Sequence, residues 1–301
     1  MTSDMKGPLR PTLYRYKLGG FEMMNVLDSV AVRDGLGSVH AGGAAAGVVD
    51  QLAKMNNIDP EKFEHPFVPV IVNTGKQLVL FDAGNGTLAR DNEALRGRVP
   101  DGQLLKRLGE AGYKPEDVDI VALTHCHPDH IGGLMSAGKV VFPNARYVVA
   151  AAEFNFWKKG ENIGDARKLT KMQFDRLMAP LADKTTFIKP GDQVVPGITA
   201  VDAAGHSAGL TAYRIESEGK NLLLWADTCL HYVCGVQHPE WTIGFDDNQQ
   251  KAVETRKRIL KMVAAEKMFV VGFHMPFPSL GWVIETPMGY RWVAASYQMN
   301  V

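Results

Sequence analysis

The chain has 301 residues, 46% hydrophobic and 22% charged, with 33 basic and 33 acidic side chains and a formal net charge of zero. That size and composition suit a globular fold that buries its own core without disulfides, and the charge balance argues against a nucleic-acid binder, which carries a basic excess. The cysteines, Cys126, Cys229 and Cys234, cannot all pair, which fits a reducing compartment; no segment reads as a signal peptide or as an apolar run of ~18 residues, so a soluble, cytoplasmic protein with no membrane partner is expected.

Residues 12–32 read as two strands around Gly19-Gly20. Residues 34–47, rich in Gly and Ala, read as a mobile loop. The first 50 residues or so thus form a hairpin and loop extension, which could make a homodimer contact or a lid. Residues 67–86 are a second hairpin, turning at 73–76, whose second strand ends at Asp82. Residues 101–119 form an amphipathic helix with Leu104, Leu105 and Leu108 on one side, ended by Gly112 and Pro115. A buried-type strand follows at 120–125, then a strand running into a helix at 145–154.

Residues 155–180 are charged and helical in pattern, with Trp157 and Phe174 as the large aromatics. TAVDAAGHSAG and NLLLWAD are strands ending in polar residues. Residues 246–267 form a strong helix with Asp246 or Asp247 as N-cap, and 268–274 are one more strand. Strands and helices alternate, and the two halves share a plan. The pattern predicts one α/β domain over residues 1–301, with two packed sheets and helices outside.

The stretch LTHCHPDHIGG, residues 123–133, places His125, His127, Asp129 and His130 within six positions. An apolar run precedes His125, and similar runs precede His206, Asp227 and His274. Residues just past the carboxyl ends of strands are where α/β sheets collect ligands. Five imidazoles and two carboxylates gathered there would hold two metal ions, zinc by preference, with manganese, iron or cobalt also suited. With no thiolate among them, an open catalytic site is expected rather than a closed structural one. Cys126 would point into the structure, and Gly132-Gly133 would let the backbone pass close to the metals.

His40, His65 and His238 read as surface or loop histidines, and Cys229 and Cys234 as core thiols. Trp157, Phe273, Phe277 and Trp282 are core aromatics or walls of a substrate pocket. His231 is either a loop histidine or a further pocket residue.

THCHPDHIGG resembles the metal motif of the metallo-β-lactamase superfamily. AGHSAG, WAD and GFH are similar to that family's later ligand motifs, in the same order. The resemblance runs from about Thr12 to the C-terminus and implies a four-layer αββα sandwich with a dinuclear centre in its edge cleft. It assigns His125, His127 and His206 to one metal and Asp129, His130 and His274 to the other. Asp227 would bridge them, and Asp82 would support the site from behind. HYVCGVQHPEWTIGFDDN with the following Arg256, and HMPFPSLGWV leading into GYRWV, resemble the lactonase and methyl parathion hydrolase-like branch. Many quorum-signal lactonases have a tyrosine where this chain has Leu230, and Tyr232 faces the other way if the segment is extended.

The activity implied is hydrolysis of a small neutral, hydrophobic lactone or aryl ester, with phosphotriesterase action as a side activity. Bound metals lower the pKa of water to ~7, and Asp129 or Asp227 would orient the nucleophile and help move its proton. Two other readings remain at this stage: a hydrolytic dehalogenase of an activated aromatic, and an inactive binding or sensor protein on the same fold.

Overall fold

The computed structural model describes residues 5, 9–97, 99–161, 163–287, 289–295 and 299–301. Two seven-stranded sheets dominate it. In spatial order the first runs Leu13–Leu18, Phe21–Val26, Val70–Asn73, Leu78–Phe81, Ile120–Ala122, Arg146–Ala150 and Thr185–Ile188. Its first four strands pair antiparallel, and the last three add in parallel. The second runs Gln193–Val195, Ile198–Asp202, Thr211–Ser217, Lys220–Ala226, Phe269–Gly272, Leu280–Thr286 and Gly289–Ala294. It is antiparallel except where Lys220–Ala226 meets Phe269–Gly272.

Strand alternation explains the layering, because successive side chains point to opposite faces. Val70, Val72, Val79, Phe81, Ile120 and Ala122 pack toward the second sheet. The residues between them, Ile71, Leu78, Leu80 and Val121, pack outward. Phe81 meets Tyr213 across the sheet interface, ring centroids 4.9 Å apart. The outward face is covered by helices Leu104–Glu110, Ala151–Lys159 and Lys168–Leu177. Helix Gln249–Ala265 lays Ile259, Leu260 and Val263 on the second sheet. The result is the expected αββα order. Among the described residues no helix is long and apolar enough to cross a membrane.

Several local expectations need correction. The helix expected over 101–119 is confined to Leu104–Glu110. Leu104 and Leu108, four residues apart, share its buried face, whereas Leu105, about 100° around the axis, is 47% exposed. The helical stretch 155–180 is two helices, interrupted beyond Lys159 by Gly160 in the left-handed region (φ +66°). Residues 34–47 are not simply a loop: Leu36–His40 is a short helix, and Leu36 is fully buried with Phe63 and Trp241. Beyond the first hairpin, Ser29–Asp34 leaves the main sheet and pairs with Lys62–Phe67 in a separate two-stranded ribbon. The last long helix is capped by Asn248, whose side chain accepts from the Lys251 N–H. Asp246 and Asp247 do not cap it, because both are engaged at the site below.

Candidate metal centre

Four strand ends meet at one edge of the sandwich. Leu78–Phe81 delivers Asp82, Ile120–Ala122 leads to His125, Lys220–Ala226 to Asp227, and Phe269–Gly272 to His274. Asp82 and Ala226 both take positive φ, +60° and +50°, a conformation that costs an ordinary residue energy and clusters at functional sites. Past His125 the chain turns at Pro128, which opens the short helix Pro128–Ile131 with its fixed φ suited to a first helical position. Gly132 and Gly133 then pass against another backbone: a Cβ on Gly133 would lie 2.1 Å from the Ala83 carbonyl oxygen, and one on Gly132 2.3 Å from that of Asn85.

The seven candidate ligands come together as two groups, His125, His127 and His206, and Asp129, His130, Asp227 and His274, with the potential ligand atoms of each within 4.8 Å of one another. Asp227 lies between them. Its Oδ2 is 3.3 Å from His206 Nε2 and 3.2 Å from His274 Nε2, and its Oδ1 is 3.4 Å from His130 Nε2. Asp129 Oδ2 is 3.4 Å from His274 Nε2 and 3.6 Å from His130 Nε2.

Each ring is aimed by the nitrogen that faces away. His130 Nδ1 donates to Asp82 Oδ2 at 2.8 Å, His206 Nδ1 to Asp246 Oδ1 at 2.9 Å, and His274 Nδ1 to the Pro66 carbonyl oxygen at 2.8 Å. The Thr124 hydroxyl donates to Asp82, and its oxygen lies 3.1 Å from His125 Nδ1. His127 is turned the other way. Its Nε2 faces Asp247 Oδ2 at 3.5 Å, and its Nδ1 meets His206 Nε2 at 3.0 Å. Fixing the outer nitrogen in this manner sets the tautomer and leaves a lone pair on the inner one.

These donors fit divalent metals. Nε2 of His125 and of His130 and Oδ1 of Asp227 are buried with no hydrogen-bond partner, an arrangement a native fold rarely leaves unexplained. His127 Nδ1 and His206 Nε2 lie 3.0 Å apart, close enough for both to offer a lone pair to one cation. Imidazole and carboxylate without thiolate is the donor set of catalytic zinc.

The charges point the same way. Burial opposes protonation of His130, but Asp227, Asp82 and Asp129 raise its pKa well above the usual imidazole value. Burial likewise opposes a charged His274, and Asp227 and Asp129 carry it up to about 9. Asp227 sits well below the carboxylate range, burial being outweighed by His274 and His130. Burial, reinforced by His130 and His127, holds His125 well below its usual value. The carboxylates therefore demand positive charge, and metal binding displaces protons from such sites.

Glu153 was not singled out in the sequence. It is fully buried and accepts from Cys126 N (2.9 Å), Trp157 Nε1 (2.7 Å), Ser207 Oγ (2.6 Å) and Gly209 N (2.8 Å). One carboxylate thus ties the segment carrying His125 and His127 to the segment carrying His206. Asp246 was read only as a helix cap. It is buried, bonded to His206, and accepts from the fully buried Arg256 Nη2 at 2.9 Å.

The candidate pocket residues separate. Trp157 is fully buried behind His127, centroids 5.9 Å apart, held there by its bond to Glu153. Phe273 is 3% exposed and stacked on His130 at 3.9 Å, so it backs that ring. Trp282 pairs in register with Phe269, at the strand end opposite His274, and lies away from the centre. Phe277 and His231 line a cavity of about 490 Å³ that also touches His274. His231 Nδ1 accepts from Val233 N and Cys234 N, which puts the ring hydrogen on Nε2, and burial lowers its pKa to about 3. Tyr232 lines that same cavity. The mouth over the two ligand groups is smaller, about 200 Å³, lined by Arg33, Phe67, Asp129, Leu230 and Phe245 among others.

His40 and His65, expected at the surface, are 0% and 3% exposed. His65 stacks on His274 at 3.9 Å, and His40 packs on Phe63 at 5.1 Å. The segment carrying them folds over the site, and no local pattern announces that. His238 is half-buried on Trp241. All three cysteines are free and buried.

The sequence profile of the Metallo-beta-lactamase superfamily matches residues 68–274. An N-acyl homoserine lactonase of Bacillus cereus is 27% identical over 216 residues, covering 68% of this chain and 79% of that protein. Among solved structures, AidC, a dizinc quorum-quenching lactonase in complex with a product, superposes with a TM-score of 0.82 at 28% identity, covering 95% of this chain and 98% of that one. The hydrolase AbOPH superposes with a TM-score of 0.86 at 25% identity, covering 97% and 100%. With a profile match that spans all four strand ends described above, the chain belongs to the metallo-beta-lactamase superfamily.

Proposed function

We propose that this chain is a hydrolase of lactones that works with two divalent metal ions, zinc by preference. The observation that carries the reading is the convergence of seven donors in two adjacent groups, with Asp227 of the second group 3.3 Å from His206 of the first, and with several donor atoms buried and otherwise unpartnered. The lactonase names of the relatives support the substrate class.

His125, His127 and His206 would hold one metal, and Asp129, His130 and His274 the other, with Asp227 between them. When bound, such ions supply a nucleophile at neutral pH by lowering the pKa of water to ~7 and polarise the substrate's carbonyl. Asp129, the more accessible of the two acids at 21% side-chain exposure, would orient the nucleophile and help move its proton. Asp82 and Asp246 would keep His130 and His206 in their tautomers. Leu230, Phe67 and Phe245 make an apolar part of the wall at the mouth, which would seat the hydrophobic portion of a substrate.

Metal analysis of protein purified without chelator should find two equivalents. The zinc-loaded protein should open lactones faster than it cleaves aryl esters or an organophosphate triester. His127→Ala should lose metal and turnover while keeping its circular dichroism spectrum. Unchanged turnover in that variant, or metal-free active protein, would reject the reading. Halide release from an activated aromatic without lactone opening would favour a dehalogenase instead.

A further inference from the structure

Two arginines line the mouth above the ligand groups, and their surroundings differ. Arg167 is committed: its Nε donates to Asp247 Oδ1 at 2.6 Å, and its guanidinium also donates to the Phe245 carbonyl oxygen. Arg33 has no hydrogen bond or ion pair among the described residues, and its Nε is buried. Its guanidinium carbon lies 5.3 Å from the centroid of the Phe245 ring.

The ribbon explains why it faces inward. Arg33 pairs with Phe63 and Ala31 with His65, and alternate residues of a strand share a face. Ala31 and His65 are buried on that face, whereas Val32, between Ala31 and Arg33, is 67% exposed on the other. Arg33 is therefore presented to the mouth together with His65. Burial lowers its pKa and Asp129 draws it back up, and guanidinium stays protonated in proteins. A charged, half-buried group without a partner is unfavourable unless a ligand completes it. Contact with the Phe245 ring holds the guanidinium at the mouth, where its two Nη groups have no hydrogen-bond partner among the described residues and form a fork that matches a planar oxygen acceptor. Leu230 in the same wall offers no polar atom.

We propose that Arg33 determines substrate specificity, taking a carbonyl or carboxylate oxygen on the arm of the lactone outside the ring, so that preferred substrates carry such an oxygen rather than a bare alkyl chain. This rests on the lactone-hydrolase reading and adds an oxygen-bearing arm to the neutral, hydrophobic lactone expected from the sequence.

The test uses the full-length zinc-loaded protein and three lactones of matched ring size: one alkyl, one acylamino, one with a carboxylate on its arm. Arg33→Met should lower kcat/KM about 10- to 100-fold, mainly through KM, for one or both oxygen-bearing lactones, the size of a hydrogen bond to a charged group. The alkyl lactone should change less than about 3-fold. The larger loss identifies the oxygen. Calorimetry with uncleavable cyclopentyl analogues carrying the same arms should show the same selective loss of affinity. Equal losses on all three ligands, or none, would overturn the proposal. Should Arg33→Met be insoluble, Arg33→Lys should give the same selectivity, because an ammonium lacks the planar fork. If the wild type opens none of the lactones, the functional reading fails, and the analogue binding still decides the role of Arg33.

Discussion

Replacing Asp246 by Asn separates the outer partner of His206 from the ligand itself. The carboxylate accepts from His206 Nδ1 and from Arg256 Nη2, both at 2.9 Å, and it and Arg256 are buried. An amide keeps the volume but offers one accepting oxygen and no charge. One of the two bonds is lost, about 1.5–3 kcal/mol for a charged group, and Arg256 keeps a buried charge without its counterion, a situation worth about 3–5 kcal/mol when a pair is broken. Arg256 retains its bonds to the carbonyl oxygens of Thr228 (3.0 Å) and Trp241 (2.8 Å), so the loss in the metal-free protein should fall near the lower figure, about 3 kcal/mol. Urea unfolding of the chelated protein reads this directly. Metal affinity should fall about 10- to 100-fold through release of the His206 tautomer, read by competition against a zinc indicator. Two equivalents bound at wild-type affinity would refute the argument that Asp246 aims His206, whatever happens to stability.

Glu153→Gln presents an amide NH2 to a pocket in which Cys126 N, Trp157 Nε1 and Gly209 N can only donate, Ser207 Oγ being the one of the four neighbours able to accept. Unfolding free energy should drop by about 3–6 kcal/mol, and an unchanged urea midpoint would contradict the assigned bonding. Gly133→Ala would push a Cβ to 2.1 Å from a backbone oxygen, whereas Gly109→Ala meets nothing within 4 Å. The first should yield little soluble protein, and the second, inside Leu104–Glu110, should gain about 0.5–1 kcal/mol in the same assay. Chelation of the zinc-loaded protein should lower Tm by about 10 °C, taking free metal at 1,000 times Kd, with recovery on adding zinc. Identical melting curves would show that metal does not bind the folded state.

What could be read in advance follows from the kind of signal involved. His125, Asp227 and His274 each follow an apolar run, and a strand end is a local property, so their common edge was legible. The layers were legible for the same reason, since Val70–Asn73 and Leu78–Phe81 carry apolar residues on both faces and had to be buried between layers. Arg33, Asp246 and Glu153 were not. Each acts through a partner far along the chain, Glu153 through Ser207, Asp246 through His206, and Arg33 through Phe245, and no periodicity marks such pairs. Asp246 was masked by a plausible local role, because an acid before a helix usually caps it. His40 and His65 were misplaced because the ribbon carrying His65 departs from the sheet that its sequence neighbours join.

The position of Asp227 has a consequence for how the centre fills. One carboxylate lies within 3.4 Å of nitrogens from both ligand groups, so under the proposed assignment neither group owns its full complement of negative charge. Occupation of one would neutralise part of what the other attracts. Under that assignment the two ions would load as linked events, and damage to a side chain on one flank would be felt on the opposite flank.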